Sequence, residues 1–146
     1  MPFRLFALLP LLAACPAPES ETDAPDTAPI AFCETMDDAD SYYIEEGGGN
    51  GSSGKVIGRL ITDVTGSLHD PNLVANVDYT IDNLDVGGTQ QQGRTDQDGS
   101  FQEVLGEGTW RFKHSAEKSG YSCANTVDFE VEGGNTTWLC IDANCQ

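Results

Sequence analysis

Positive charge is scarce in this chain. Seven Lys and Arg stand against 24 Asp and Glu in 146 residues, a formal net charge of −17. So acidic a surface has little with which to neutralise phosphates, which excludes nucleic acid as a partner. Docking on anionic lipid heads is excluded for the same reason. The same charge keeps the body soluble and implies a monomer. Long apolar runs are missing too. The longest, Leu5 to Ala14, is about half of the ~20 residues that a membrane-spanning helix needs. There are only two histidines, His69 and His114, far apart in sequence, and no Cys-x-x-Cys pair, so no zinc site is expected. No Gly-x-Ser-x-Gly elbow occurs. Carboxylates are too plentiful for any pair of them to mark acid–base chemistry. Nothing in the residues calls for an enzyme, a metal or a cofactor.

What is present begins at the N-terminus. Arg4 precedes the apolar stretch, and small residues end it, in the order of a secretory signal peptide. The residues Leu12-Ala13-Ala14-Cys15 resemble the lipobox of bacterial lipoproteins. That resemblance implies cleavage before Cys15, a diacylglycerol on its thiol and an acylated amino terminus. More than one acyl chain satisfies the requirement for stable anchoring. Pro16 stands where an inner-membrane retention signal would place aspartate, which implies the outer membrane of a bacterial envelope. Loss of residues 1–14 removes Arg4 and leaves 6 basic residues against 24 acidic ones, a net charge of −18.

Four prolines interrupt residues 16–31, "PAPESETDAPDTAPIA", among acids and little that is apolar. Such a segment cannot bury enough surface to fold, and its prolines favour an extended spacer. Residues 15–32 therefore read as a lipidated stalk. Residues 33–54 are acidic and then Gly/Ser-rich, with "SYYIEE" as either a short edge strand or an isolated patch. The string Gly49 to Gly54 matches G-x-G-x-x-G, but "KVIGRLI" after it reads as a strand, whereas a dinucleotide site needs a helix there.

From Lys55 the apolar period is two. Val77, Tyr79 and Ile81 share one face; so do Trp110, Phe112 and His114; so do Val127, Phe129 and Val131. Gly, Asn and Asp punctuate these runs, and no amphipathic helix pattern appears. Short alternating strands separated by turn residues predict an all-β fold, a single antiparallel β-sandwich of about seven strands over residues 55–146. His114 shares parity with Trp110 and Phe112, which predicts a histidine at the edge of the core.

The order of motifs is informative. "VIGRLITDVTG" comes first, then Thr95-Asp96-Gln97-Asp98-Gly99-Ser100-Phe101, then Gly106-Glu107-Gly108-Thr109-Trp110, then Gly120-Tyr121. Over residues 55–142 this order resembles the carboxypeptidase regulatory-like domain, a transthyretin-like sandwich. The chain departs from it in carrying Trp110 for the usual tyrosine, and in its cysteines. The resemblance implies a rigid, mostly non-catalytic module used for adhesion, assembly or accessory binding. In the residues themselves, Asp96 and Asp98 suit capping of their own turn, with Gly99 supplying positive φ. A calcium site at Asp96 and Asp98 is the rival reading, although the glutamate that would complete an EF-hand loop is missing.

Five cysteines leave one over. In an oxidising compartment Cys33, Cys123, Cys140 and Cys145 are disulfide candidates, with three possible pairings. A hairpin turning at Gly133-Gly134-Asn135 would set Phe129 against Leu139, Val127 against Ile141 and Cys123 against Cys145. That predicts Cys123–Cys145, which leaves Cys33–Cys140 to staple residues 33–45 onto the outer face of the sheet. The expected function is a lipid-anchored envelope protein that binds or assembles through its sandwich. Two other readings are open. One is a carbohydrate-binding module using Tyr42, Tyr43 and Trp138; the other is a lipoprotein subunit of a secretion complex.

Overall fold

A computed structural model describes residue 33 and residues 39–62, 71–88 and 90–146. The leader, Cys15, the stalk and His69 lie outside the described residues. Eight strands form: β1 (Ser41–Glu45), β2 (Ser53–Ile61), β3 (Asp78–Asn83), β4 (Gln90–Arg94), β5 (Ser100–Gly106), β6 (Gly108–Lys118), β7 (Tyr121–Val131) and β8 (Thr136–Asp142). A 3-10 turn at Pro71–Leu73 precedes β3. The strands make two four-stranded sheets, in the orders β1-β8-β2-β5 and β4-β3-β6-β7. All neighbours are antiparallel except β2 and β8. Inward-facing side chains of both sheets make one core, as in a two-layer sandwich. In β7, Val127, Phe129 and Val131 are buried while Asp128 and Glu130 face water. At the centre three rings converge: Tyr79, Phe101 and Phe112 lie with centroids 4.7–5.3 Å apart. Trp110 closes one flank, its indole N–H donating to the Gly106 carbonyl at 2.9 Å.

The all-β sandwich and the edge-strand reading of "SYYIEE" stand, with two additions and one correction. The strand count is eight because Gln90–Arg94 pairs with β3; its polar run "QQQGR" carries no alternation to announce it. β1 belongs to the first sheet, paired along its length with β8, so the sandwich takes in residues upstream of 55. The correction concerns β7 and β8. They form no hairpin, for they lie in different sheets. Phe129 and Leu139 do share the core, but each enters it from its own sheet. The turn at residues 132–135 carries the chain from one layer to the other, and Thr137 Oγ1 donates back to the Glu130 carbonyl at 2.9 Å. Apolar alternation is equally well served by two strands facing each other across a core and by two strands paired in one sheet. It could not separate the two.

Candidate functional site

The disulfides join Cys33 to Cys140 and Cys123 to Cys145. The second closes where the C-terminal tail meets β7. There Cys123 and Cys145 form an isolated bridge, and Ser122 and Gln146 exchange N–H···O bonds at 3.0 Å. The first lies on the outer face of the first sheet, where Cys140 is fully buried and Cys33 is 3% exposed.

Asp96 and Asp98 sit in the turn between β4 and β5, and they serve it. Asp96 Oδ1 accepts from the Ser100 N–H at 2.8 Å and the Asp98 N–H at 3.2 Å; Asp98 Oδ1 accepts from the Ser100 N–H at 3.3 Å. Partial burial and the neighbouring Asp98 raise the Asp96 carboxyl, while the hydrogen bond with Asp96 lowers Asp98. Gly99 has φ 84°, and a Cβ there would run into the Leu60 carbonyl and Val74. Thr95 ties the turn to the core: its Oγ1 donates to the Val74 carbonyl at 2.7 Å and accepts from the Val77 N–H at 2.9 Å. No group of three or more His, Cys, Asp and Glu side chains poised around a metal occurs among the described residues.

His114 is 6% exposed and packs its ring 6.0 Å from that of Phe112. Burial lowers its pKa from 6.5, against a smaller upward pull from the Asp142 carbonyl and the Asp142 and Asp40 carboxylates. Among the described residues, neither ring nitrogen reaches hydrogen-bond geometry with a partner. Tyr79 spans the layers: its hydroxyl donates to Glu103 Oε1 on β5 at 2.6 Å, and burial first, then Glu103, pushes its pKa far above the usual value.

The two outer faces are dressed differently. On the second sheet three cross-strand ion pairs lie in view: Arg94–Asp78, Arg111–Asp128 and Lys113–Asp82, at 2.5–2.6 Å. The guanidinium beside each holds Asp78 and Asp128 below the ordinary carboxylate range. A groove of about 750 Å³ runs over this face, with Tyr79 and His114 at its floor and Asp78, Gln92, Lys113 and Thr126 among its walls. On the first sheet the registers align Tyr43, Trp138, Ile57 and Gln102 in one row across all four strands. Tyr43 is 51% exposed, Trp138 half-buried, and Val104 in the adjoining row 64% exposed. Glu45 Oε2 accepts the Trp138 indole N–H at 2.8 Å. Tyr42 is not part of this row. It faces the other way, beside Leu139, with its hydroxyl raised by burial and by Glu130 and Glu132. Of the three aromatics singled out in the sequence, the fold brings two together. Their partner Glu45 had no signal of its own, since 93 residues separate it from Trp138. The Gly49–Gly54 stretch turns β1 into β2 and leads straight into a strand.

No protein-family model matches the chain, and no curated protein matches it. Among solved structures it is similar to the Bacillus anthracis TIE protein, at 25% identity and a TM-score of 0.45, over 62% of this chain and 16% of that one. A 9R-lipoxygenase from Cyanothece PCC8801 also aligns, at 17% identity and a TM-score of 0.32, over 57% of this chain and 14% of the other.

Proposed function

We propose that this is a lipid-anchored protein of the bacterial envelope, favouring the outer membrane, whose β-sandwich binds or assembles and does not catalyse. The observation that carries the reading is parity. Four of the five cysteines pair off as Cys33–Cys140 and Cys123–Cys145, which suits an exported chain and leaves Cys15 as the odd thiol. Cys15 is the residue that closes the lipobox-like sequence. Residues 15–32 then hold an acidic body away from a surface that repels it.

Replacement of the attachment atom tests this. Cys15→Ser is expected to abolish incorporation of labelled palmitate and to move the protein from the detergent fraction to the soluble one. Unchanged labelling and unchanged fractionation would overturn the anchor.

A further inference from the structure

Resting on the reading above of a module that binds or assembles, we infer that one end of the sandwich docks on a basic protein, with Leu84 and Val86 as its apolar anchors. Four connections meet at this end: 46–52 between β1 and β2, 84–88 after β3, Glu107 between β5 and β6, and 132–135 between β7 and β8. Backbone bonds hold them together. The Glu107 N–H donates to the Ser52 carbonyl at 2.9 Å, the Gly49 N–H to the Gly134 carbonyl at 3.0 Å and the Leu84 N–H to the Thr109 carbonyl at 2.9 Å. The chain enters β1 at the opposite end, where the Asp40 N–H donates to the Cys140 carbonyl. A tether on that side leaves the four connections facing away from the membrane.

Leu84 is 40% exposed and Val86 77%. The loop that carries them is held. Asn83 Oδ1 accepts from the Asp85 N–H at 2.9 Å and the Val86 N–H at 3.0 Å, and Asp85 Oδ2 accepts from the Thr109 N–H at 2.6 Å. Gly108 makes room for that carboxylate, since a Cβ there would stand 2.5 Å from Asp85 Oδ2. Polar side chains thus fix the backbone while two apolar ones are left toward water. Apolar side chains on a fixed backbone suit a protein interface, because little freedom is lost when a partner covers them. Charge selects the occupant. Each connection carries one exposed carboxylate, Glu46, Asp85, Glu107 or Glu132, and none carries Lys or Arg. Anionic lipids and anionic polymers are repelled. A second copy of this end would bring the same charges together. No aromatic ring stands in these connections for a sugar to stack on. What fits is a protein surface with an apolar socket bordered by Lys and Arg.

The experiment puts the photo-crosslinking residue p-benzoylphenylalanine in place of Val86 in the full-length protein. Envelopes isolated from the bacterium that makes it are irradiated, and the adduct is identified by mass spectrometry. The expected adduct is with one basic protein. Its yield is expected to fall about tenfold in Leu84→Ser, as loss of an apolar anchor does. Glu107→Gln combined with Glu132→Gln is expected to lower it several-fold, and so is sodium chloride at about 0.5 M, since both weaken charge attraction. The same probe in place of Thr126, on the outer face of the second sheet, is expected to give no such adduct. Glu107 and Glu132 are exposed, so the paired variant keeps the test valid should Leu84→Ser fail to fold. No adduct at position 86, or an adduct there with lipid, an acidic protein or a second copy of this chain, would overturn the inference. So would a yield indifferent to folded Leu84→Ser or to the paired variant. An adduct only at position 126 would overturn it too, while leaving the reading of a binding module standing. The probe reads the loop and Cys15→Ser reads the anchor, so the two can fail separately.

Discussion

At Gly58 a hydrogen atom stands where any other residue would drive a carbon into the ring of Phe101. The row Tyr42–Leu139–Gly58–Phe101 crosses the inner face of the first sheet, and the glycine makes room for the ring. Gly58→Ala therefore overpacks the aromatic cluster and is expected to cost about 1–3 kcal/mol, read as a lower urea midpoint with an unchanged slope. His114 is the titrating residue of the core. The unfolded chain takes a proton on it near pH 6.5, while burial keeps the folded form neutral to lower pH. Between those two pH values the unfolded state binds more protons, so stability rises with pH and is lost as pH falls. The stability of wild type is expected to decline from about pH 6.5 downward, and His114→Leu to remove that part of the decline. Urea midpoints of both proteins at pH 5, 6, 7 and 8 measure it. A parallel dependence in the two would contradict the assignment.

Among the elements, the two disulfides differ in the loops that they close. Cys33–Cys140 spans 107 residues and Cys123–Cys145 spans 22. The chain-entropy model then favours the longer loop by about 1.4 kcal/mol. Paired replacement by alanine is expected to lower the melting temperature more for Cys33/Cys140 than for Cys123/Cys145. Element by element, the sequence was legible where one face is buried. β3, β6 and β7 can be read from Tyr79, Ile81, Phe112, Val127 and Phe129, because a half-buried strand must alternate. β4 was illegible because Gln90–Arg94 is a polar edge whose pairing depends on β3. The layer assignment of β8 was illegible as well, since Leu139 and Ile141 satisfy a core from either side. The Cys123–Cys145 pair followed from a hairpin that does not exist; only the tail near Cys145 returns to β7. The Tyr43–Trp138 pairing depends on β1 meeting β8 from the far end of the chain, a contact that local pattern cannot contain.

Over the whole molecule, charge is the term that remains unbalanced. Three solvent-facing ion pairs contribute little, against the mutual repulsion of an excess of 17 negative charges. Salt screens both, and the excess is the larger. Raising sodium chloride from about 10 mM to about 0.5 M, where the screening length falls several-fold, is expected to raise the melting temperature followed by circular dichroism. A fall would mean that the ion pairs on the second sheet outweigh the repulsion.

The Cys33–Cys140 bond has a mechanical meaning. Tension on the segment before residue 33 passes through that bond into β8, bypassing β1. β8 is an inner strand, held by β1 on one side and β2 on the other. To draw it out, a load must shear two ladders at once. With the bond reduced, the same pull reaches β1 first and unzips an edge strand one residue pair at a time. The oxidised protein thus resists a pull from that side to which the reduced one yields.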